Sequence, residues 1–415
     1  MTIRTSTAPL AGLNAFRHRS GPAKLLALVL LLPAAACGPN GEEGGVEEVR
    51  AGAGITLEKQ ASYPEPFSYL SGVRPMPDGT LLAADPLGQV LLRLDMDAGV
   101  ADTLGGVGEG PEEYGQPDRV YPLPGDSTLL VDLGNMRLTV LDPRGRFVET
   151  MPLTRPSENG RPTVLLPRFV DARGNIYFTN RAPGAEPPDS TYVVRFDRAV
   201  ESMDTVARLW VPELEVERSG NRARIVSTML EGQDDWAAAP DGDVAVIRAN
   251  DYSVEWYRPD GTVIRGASTP FEPLSSTEAD KEALLEEMGS QGLSMFMTRS
   301  SEGATSLRMS RGGRTGGTEP SVRDFEWAET FPPFRDGRAM MSPAGNLWVE
   351  RMGHVPESVK YDVFDAEGVR IATVELPPGS RIIGFGEDGT GGGLAYVTRI
   401  DDVGLTWLER YRITR

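Results

Sequence analysis

The feature that most constrains the fold is internal repetition. Six segments of the 415-residue chain follow one plan: "PMPDGTLLAADPLGQVLLRLDMDAG", "PLPGDSTLLVDLGNMRLTVLDPRG", "VDARGNIYFTNRA", "AAPDGDVAVIRANDYSVEWYRPDG", "MSPAGNLWVERMG" with "VKYDVFDAEG", and "FGEDGTGGGLAYVTRIDDVGLTWLERYRI". Each opens on a glycine turn and continues through an alternating apolar run, a polar corner and a second such run. Short alternating runs between Asp-Gly or Asn-Gly turns are hairpin signals. Turn glycines recur at Gly79, Gly125, Gly174, Gly242, Gly345 and Gly389, and the unexpanded intervals are 44–49 residues. That is the length of one propeller blade.

The second and fourth repeats each hold four strands, such as "PDRVYPLP", "STLLVDLG", "MRLTVLDP" and "RFVETMPL". The expectation is an all-β, six-bladed β-propeller of four-stranded antiparallel blades over residues 55–415. The sixth repeat supplies only three strands before Arg415, while an orphan strand, Ile55 to Ser62, precedes the first. Pairing the two closes the ring and satisfies both backbone edges. Parallel βα units are disfavoured, because helix-period stretches are missing between the strands.

The stretch "GGVGEGPEEYGQPDRV", Gly105 to Val120, raises the question of a phosphate-binding loop. A dinucleotide fingerprint requires a third glycine where Pro111 stands, followed by a helix. Here proline and glycine occupy the would-be helix instead. "LLVDLGNMRLTVLDPRGRFVE" resembles an NHL repeat, with an Asp-x-x-Asn-x-Arg corner at Asp132, Asn135 and Arg137. The glycine stretch resembles the loop joining consecutive blades of that family. The resemblance implies that Gly106 to Pro117 runs from the outer edge of blade one to the inner strand of blade two. Over residues 55–415 the chain is similar to six-bladed propeller lipoproteins of bacteria.

The ends carry a second message. Arg4, Arg17, Arg19 and Lys24 precede an apolar run, Leu25 to Ala36, too short to span a bilayer. Cys37, the single cysteine, follows at once. "LLPAAACGPN" resembles a bacterial lipoprotein lipobox, which implies a signal peptide over 1–36 and a lipidated Cys37. Gly38 resembles the outer-membrane sorting pattern, facing periplasm or exterior. Residues 37–54, rich in glycine and glutamate, read as a flexible tether. With one cysteine, disulfides cannot contribute.

Residues 1–36 hold four basic groups and no acidic ones, so the remainder has 38 basic against 60 acidic residues, net −22, where the whole chain is −18. Such a surface has no electrostatic footprint for nucleic acid. His18 lies in the leader, leaving His354 as the one histidine beyond it. A multi-histidine zinc site is thereby excluded, and a Ser-His-Asp nucleophile would have to use His354.

Three enlarged loops fall where propellers gather loops at one channel mouth: "NRAPGAEPPDST", the insertion 272–337 between blades four and five, and "ERMGHVPES" with His354. The insertion opens as a helix, with Ser275 and Glu278 at capping-box spacing and Gly289 as a stop. Beyond Met295, Phe296 and Met297 it turns polar, with Arg299, Arg308, Arg311 and Arg314. It is either an inconsequential mobile loop or a lid over the mouth.

Two residue sets compete as the site. Asp85, Asp132, Asn180, Asn250, Glu350 and Asp401 mark the polar corners. They either bond turn backbone or converge as oxygen ligands for Ca2+, as in a six-bladed lactonase. Arg74, Arg119, Arg168, Arg338 and Arg381 each precede a blade's first turn; blade four has Asp235 and Trp236 there. They form either an anion site or a set of local ion pairs. His354 reads as a surface residue. The functional expectation is a membrane-anchored, non-catalytic module for a small-molecule or protein ligand, without a cofactor; the alternative is the calcium-dependent hydrolase.

Overall fold

A computed structural model of the protein describes residues 54–156, 163–180, 189–213, 228–292, 309–312 and 321–415, with the backbone alone at 48–49, 215–219, 222–226, 293–299 and 305–308. It is a six-bladed β-propeller. Five blades are four-stranded antiparallel sheets. From the inner strand outward, blade one begins with Val73–Pro75, blade two with Pro117–Pro122, and blade three with Phe169–Val170. Blade four begins with Asp235–Ala238 and blade five with Met340–Met341. Blade six runs Ser380–Glu387, Gly393–Ile400, Thr406–Thr414, and takes the N-terminal strand Thr56–Ser62 as its fourth member. Thr56 lies opposite Thr414 and Ser62 opposite Glu409, so the ring closes as the orphan strand requires. Glu48–Val49 extends that edge.

The alternation in each strand feeds two blade interfaces at once. In the second strand of blade two, Leu129 and Val131 pack against blade three, while Leu130 packs against blade one. All five residues of that strand are buried, as are all of Leu81–Asp85 and Leu347–Glu350. Among the described residues six apolar clusters result, one per interface. The core is therefore a ring of wedges and not a central mass. Blade six departs slightly from expectation: its positive φ falls on Gly391 (81°) and not on Gly389.

The stretch Gly105 to Val120 joins blades one and two. Gly106–Val107 pairs in parallel with Glu113–Tyr114, after which the chain enters blade two at Pro117. The Asp-Asn-Arg corner holds this loop down. Asp132 accepts from the amides of Gly115 and Gln116 at 2.9 and 3.1 Å. Asn135 donates to Gly108 O at 2.8 Å, and Arg137 to Glu113 O at 2.7 Å. Gly115 and Gly134 cross so closely that a Cβ on Gly134 would sit 2.5 Å from the Gly115 carbonyl carbon. The glycines permit backbone contact; no phosphate cradle is needed to explain them.

The helix of the insertion spans Glu278–Gln291. Its cap is Thr277 with Asp280, two residues beyond the expected Ser275 and Glu278, and it runs through Gly289 to stop at Gly292. Thr277 wins because its hydroxyl and Asp280 exchange hydrogen bonds reciprocally. Beyond the helix, Leu293–Arg299 pairs with Thr305–Arg311, so part of the polar stretch is a hairpin. Arg314 and Cys37 lie outside the described residues, as does residues 181–188 of the blade-three loop.

Candidate functional site

The corner carboxylates position the mouth. Asp85 accepts from the amides of Ser68, Tyr69 and Gly88, at 2.8, 3.2 and 2.7 Å. Asp132 holds Gly115 and Gln116 in the same way. Each acid pins the incoming interblade loop, and those loops place Tyr69 and Gln116 at the mouth. Asp401 accepts from Val403 N, Leu405 N and Trp407 Nε1, which closes its own turn. Glu350 accepts from Tyr361 Oη at 3.0 Å. Asn180 ends a strand opposite Tyr192, and Asn250 is exposed at a turn tip. These six side chains are not brought together. Among the described residues no three His, Cys, Asp or Glu are grouped to hold a metal ion. Asp85, Asp132 and Asp401 are spent on backbone amides, as short polar side chains at turns usually are.

The arginines divide. Arg119 and Arg338 line one cavity of about 480 Å³. Arg168 turns instead to Asp235 at 2.5 Å, with its guanidinium 5.0 Å from the Trp236 ring. The aspartate that stands in blade four where the other blades have arginine is thus the partner of blade three's arginine. Arg381 donates to Tyr69 Oη and Leu70 O, both at 3.0 Å. Arg74 is buried and donates to Thr128, and burial lowers its pKa to about 10. Its Nε has no hydrogen-bond partner among the described residues. The five do not form one ring.

Two further arginines complete the cavity, and sequence reasoning did not assign them to it. Arg335 lies three residues before Arg338, and the left-handed Gly337 (φ 75°) between them returns the chain so that both reach Glu287. Arg311 comes from the insertion. It grips Asp118 with two nitrogens and donates to Gln291 O at 3.1 Å. Gln116 fixes the Arg311 backbone from both sides, accepting from its amide at 2.8 Å and donating to its carbonyl at 2.9 Å. Nearby Met309 packs into the core between blades two and three.

The insertion therefore crosses the mouth. Leu284, Glu287, Met288 and Gln291, spaced as one helical stripe, line the cavity. Glu287 accepts from Arg335 Nη1 at 2.6 Å and from Arg338 Nη2. Burial pushes the Glu287 carboxyl up, but Arg335 and Arg338 outweigh it and hold the pKa below its ordinary value. The helix start is fixed by His354, whose Nδ1 lies 2.9 Å from Asp280 Oδ2, while Val355 N donates to Asp280 Oδ1. His354 thus has a partner, although it reads as a plain loop residue in the sequence.

Arg119 differs from its neighbours. Its one carboxylate contact among the described residues is Asp118, 4.0 Å away, and Asp118 is already held by Arg311. Tyr69 lies under two guanidiniums, Arg381 at 5.2 Å and Arg311 at 5.8 Å from its ring. Burial raises the Tyr69 phenol, but Arg381, Arg311 and Arg338 more than offset this and lower its pKa. Met229, Leu230, Leu284, Met288, Pro332 and Met352 also line the cavity, together with the acidic Glu231 and Asp336. The cavity can hold a body with one anionic end and one apolar side.

No protein-family model matches the chain, and no curated protein matches it. Solved structures resemble it in outline. A member of the DUF4221 family from Bacteroides vulgatus is 9% identical, covering 87% of this chain and 99% of that one, with a TM-score of 0.44. Virginiamycin B lyase from Staphylococcus aureus is 10% identical over 87% and 99%, at 0.37. The calcium-binding protein regucalcin from Agrobacterium tumefaciens is 13% identical over 86% and 95%, at 0.34. Likenesses this distant carry nothing about ligand or activity.

Proposed function

We propose that the protein is an exported propeller, tethered to a membrane through a lipidated Cys37, that binds a small anion at its channel mouth without transforming it. The carrying observation is the gathering of Arg119, Arg311, Arg335 and Arg338 on one cavity of about 480 Å³. That size is ordinary for a small-molecule site. The acidic whole chain does not forbid it, since at about 0.15 M salt charges beyond roughly 8 Å are largely screened. The local guanidinium set decides, and Arg119 has the weakest claim on a protein carboxylate.

The test is calorimetric titration with sulfate and with small carboxylates. Arg119→Ala is expected to weaken anion binding about tenfold, a loss of about 1.4 kcal/mol, while leaving thermal stability close to wild type. Equal affinity in the variant would end the reading. Calcium is the control: a rise in melting temperature with calcium but not with anions would favour the hydrolase alternative. Cell fractionation tests the anchor, since Cys37→Ser should move the protein to the soluble fraction.

A further inference from the structure

Glu287 is held as a ligand would be. Its two oxygens are claimed by two different arginines, Arg335 and Arg338, on the loop entering blade five. The carboxylate is flanked on its own helix by Leu284 and Met288, which face the same cavity. From the cavity's side, the helix therefore presents a carboxylate with an apolar body.

The helix is weakly committed to this position. Of its fourteen residues only Asp280 is buried. An isolated helix of that length is marginal in water, so most of its persistence comes from its attachments. Its first turn is attached through Asp280 to His354 and Val355 and through Lys281, whose ammonium lies 5.8 Å from the Trp327 ring centroid. Its last turn is attached through Gln291 O, which accepts from Arg311, and between them the attachment is Glu287. An anion bound at Arg335 and Arg338 while Glu287 stays in place would set two negative charges side by side. Exchanging one carboxylate for another leaves the charge of the arginine pair balanced, and costs little beyond moving the helix.

We infer that Glu287 is an internal stand-in for the ligand's carboxylate, and that the ligand is a monocarboxylate with an apolar body. On binding, the ligand takes Arg335 and Arg338 from Glu287 and removes the hold on the helix Glu278–Gln291 between its two end attachments, coupling occupancy of the mouth to opening of the helix. This rests on the anion-site reading, and goes beyond it by giving the ligand's class and its competitor.

The experiment uses 4-phenylbutyrate as probe, its uncharged amide as control, and amide hydrogen exchange across residues 278–291. Wild type should bind the acid and not the amide, with helix exchange rising at least fivefold at saturation. Glu287→Gln should bind the acid at least tenfold tighter, because the competitor has lost its charge. Glu287→Ala supplies a second handle: acetate, filling the vacated position, should raise its melting temperature more than that of wild type. Unchanged affinity in Glu287→Gln, or a helix as protected at saturation as before, overturns the stand-in. If sulfate still binds in an Arg119-dependent manner, that failure is of the stand-in alone. If neither sulfate nor 4-phenylbutyrate binds wild type or variants, the anion site falls with it.

Discussion

Asp132 shows how much one side chain can organise. Fully buried, it accepts from Gly115 N, Gln116 N and the Asn135 side chain, and pairs with Arg137 at 3.1 Å. Removing it strands several donors in a region closed to water, and breaking such a buried network is costly. Asp132→Ala is expected to lose about 3 kcal/mol of unfolding free energy, read from urea denaturation. A loss below about 1 kcal/mol would mean the corner is ornamental. The same residue exposes an ambiguity in the sequence. An aspartate after a strand reads equally as a metal ligand or a turn acceptor, and only the amides facing it discriminate. Arg168 and Arg338 illustrate the matching limit: both precede a blade turn, yet one meets Asp235 and the other lines the cavity beside Glu287.

At the scale of the element, the insertion helix is a pH-dependent attachment. The hydrogen bond to Asp280 raises the pKa of His354 above its ordinary value. Burial would push the Asp280 carboxyl up, but Thr277, His354 and Val355 outweigh it and hold the pKa at about 2. A raised folded-state histidine pKa means that the charged contact is fully present below the unfolded value of about 6.5. It is lost as pH rises through the folded value, while Asp280 stays ionised throughout that window. Hydrogen exchange in residues 278–291 should therefore be slower, after correction for intrinsic rates, at pH 5.5 than at pH 8.5. His354→Gln should remove the difference. A profile unchanged by that substitution would place the attachment elsewhere. The run from Ser275 makes the presence of a helix legible, but the spacing puts its cap two residues before Thr277, where the structure has it. Ser275 and Thr277 both offer hydroxyls at acceptable spacing, and a local pattern cannot say which one finds its carboxylate.

At the scale of the molecule, the ring depends on its seam. Thr56–Ser62 supplies the fourth strand of blade six, and Leu57 is fully buried between blades five and six. Deleting residues 1–62 would leave the Thr406–Thr414 edge unpaired and that core open on one side. The truncated protein is expected to aggregate, and to melt well below a variant lacking only residues 1–46. Size-exclusion chromatography and thermal unfolding would show this. A monodisperse truncation of equal stability would contradict a ring held by this strand.

The repeated period, the alternation within each run and the unmatched strands at the two ends are sufficient to dictate a closed propeller. Each is a consequence of local chemistry: glycine at tight turns, apolar side chains on both faces of a strand, and backbone groups that need partners. The cavity is decided otherwise. Arg119, Arg311 and Arg338 are separated by long stretches of chain and meet because the insertion crosses the mouth. Side-chain direction at the inner strands, and the choice between a protein carboxylate and an open cavity, depend on which loop lies opposite. That neighbour is set by ring closure, and a one-dimensional pattern does not contain it.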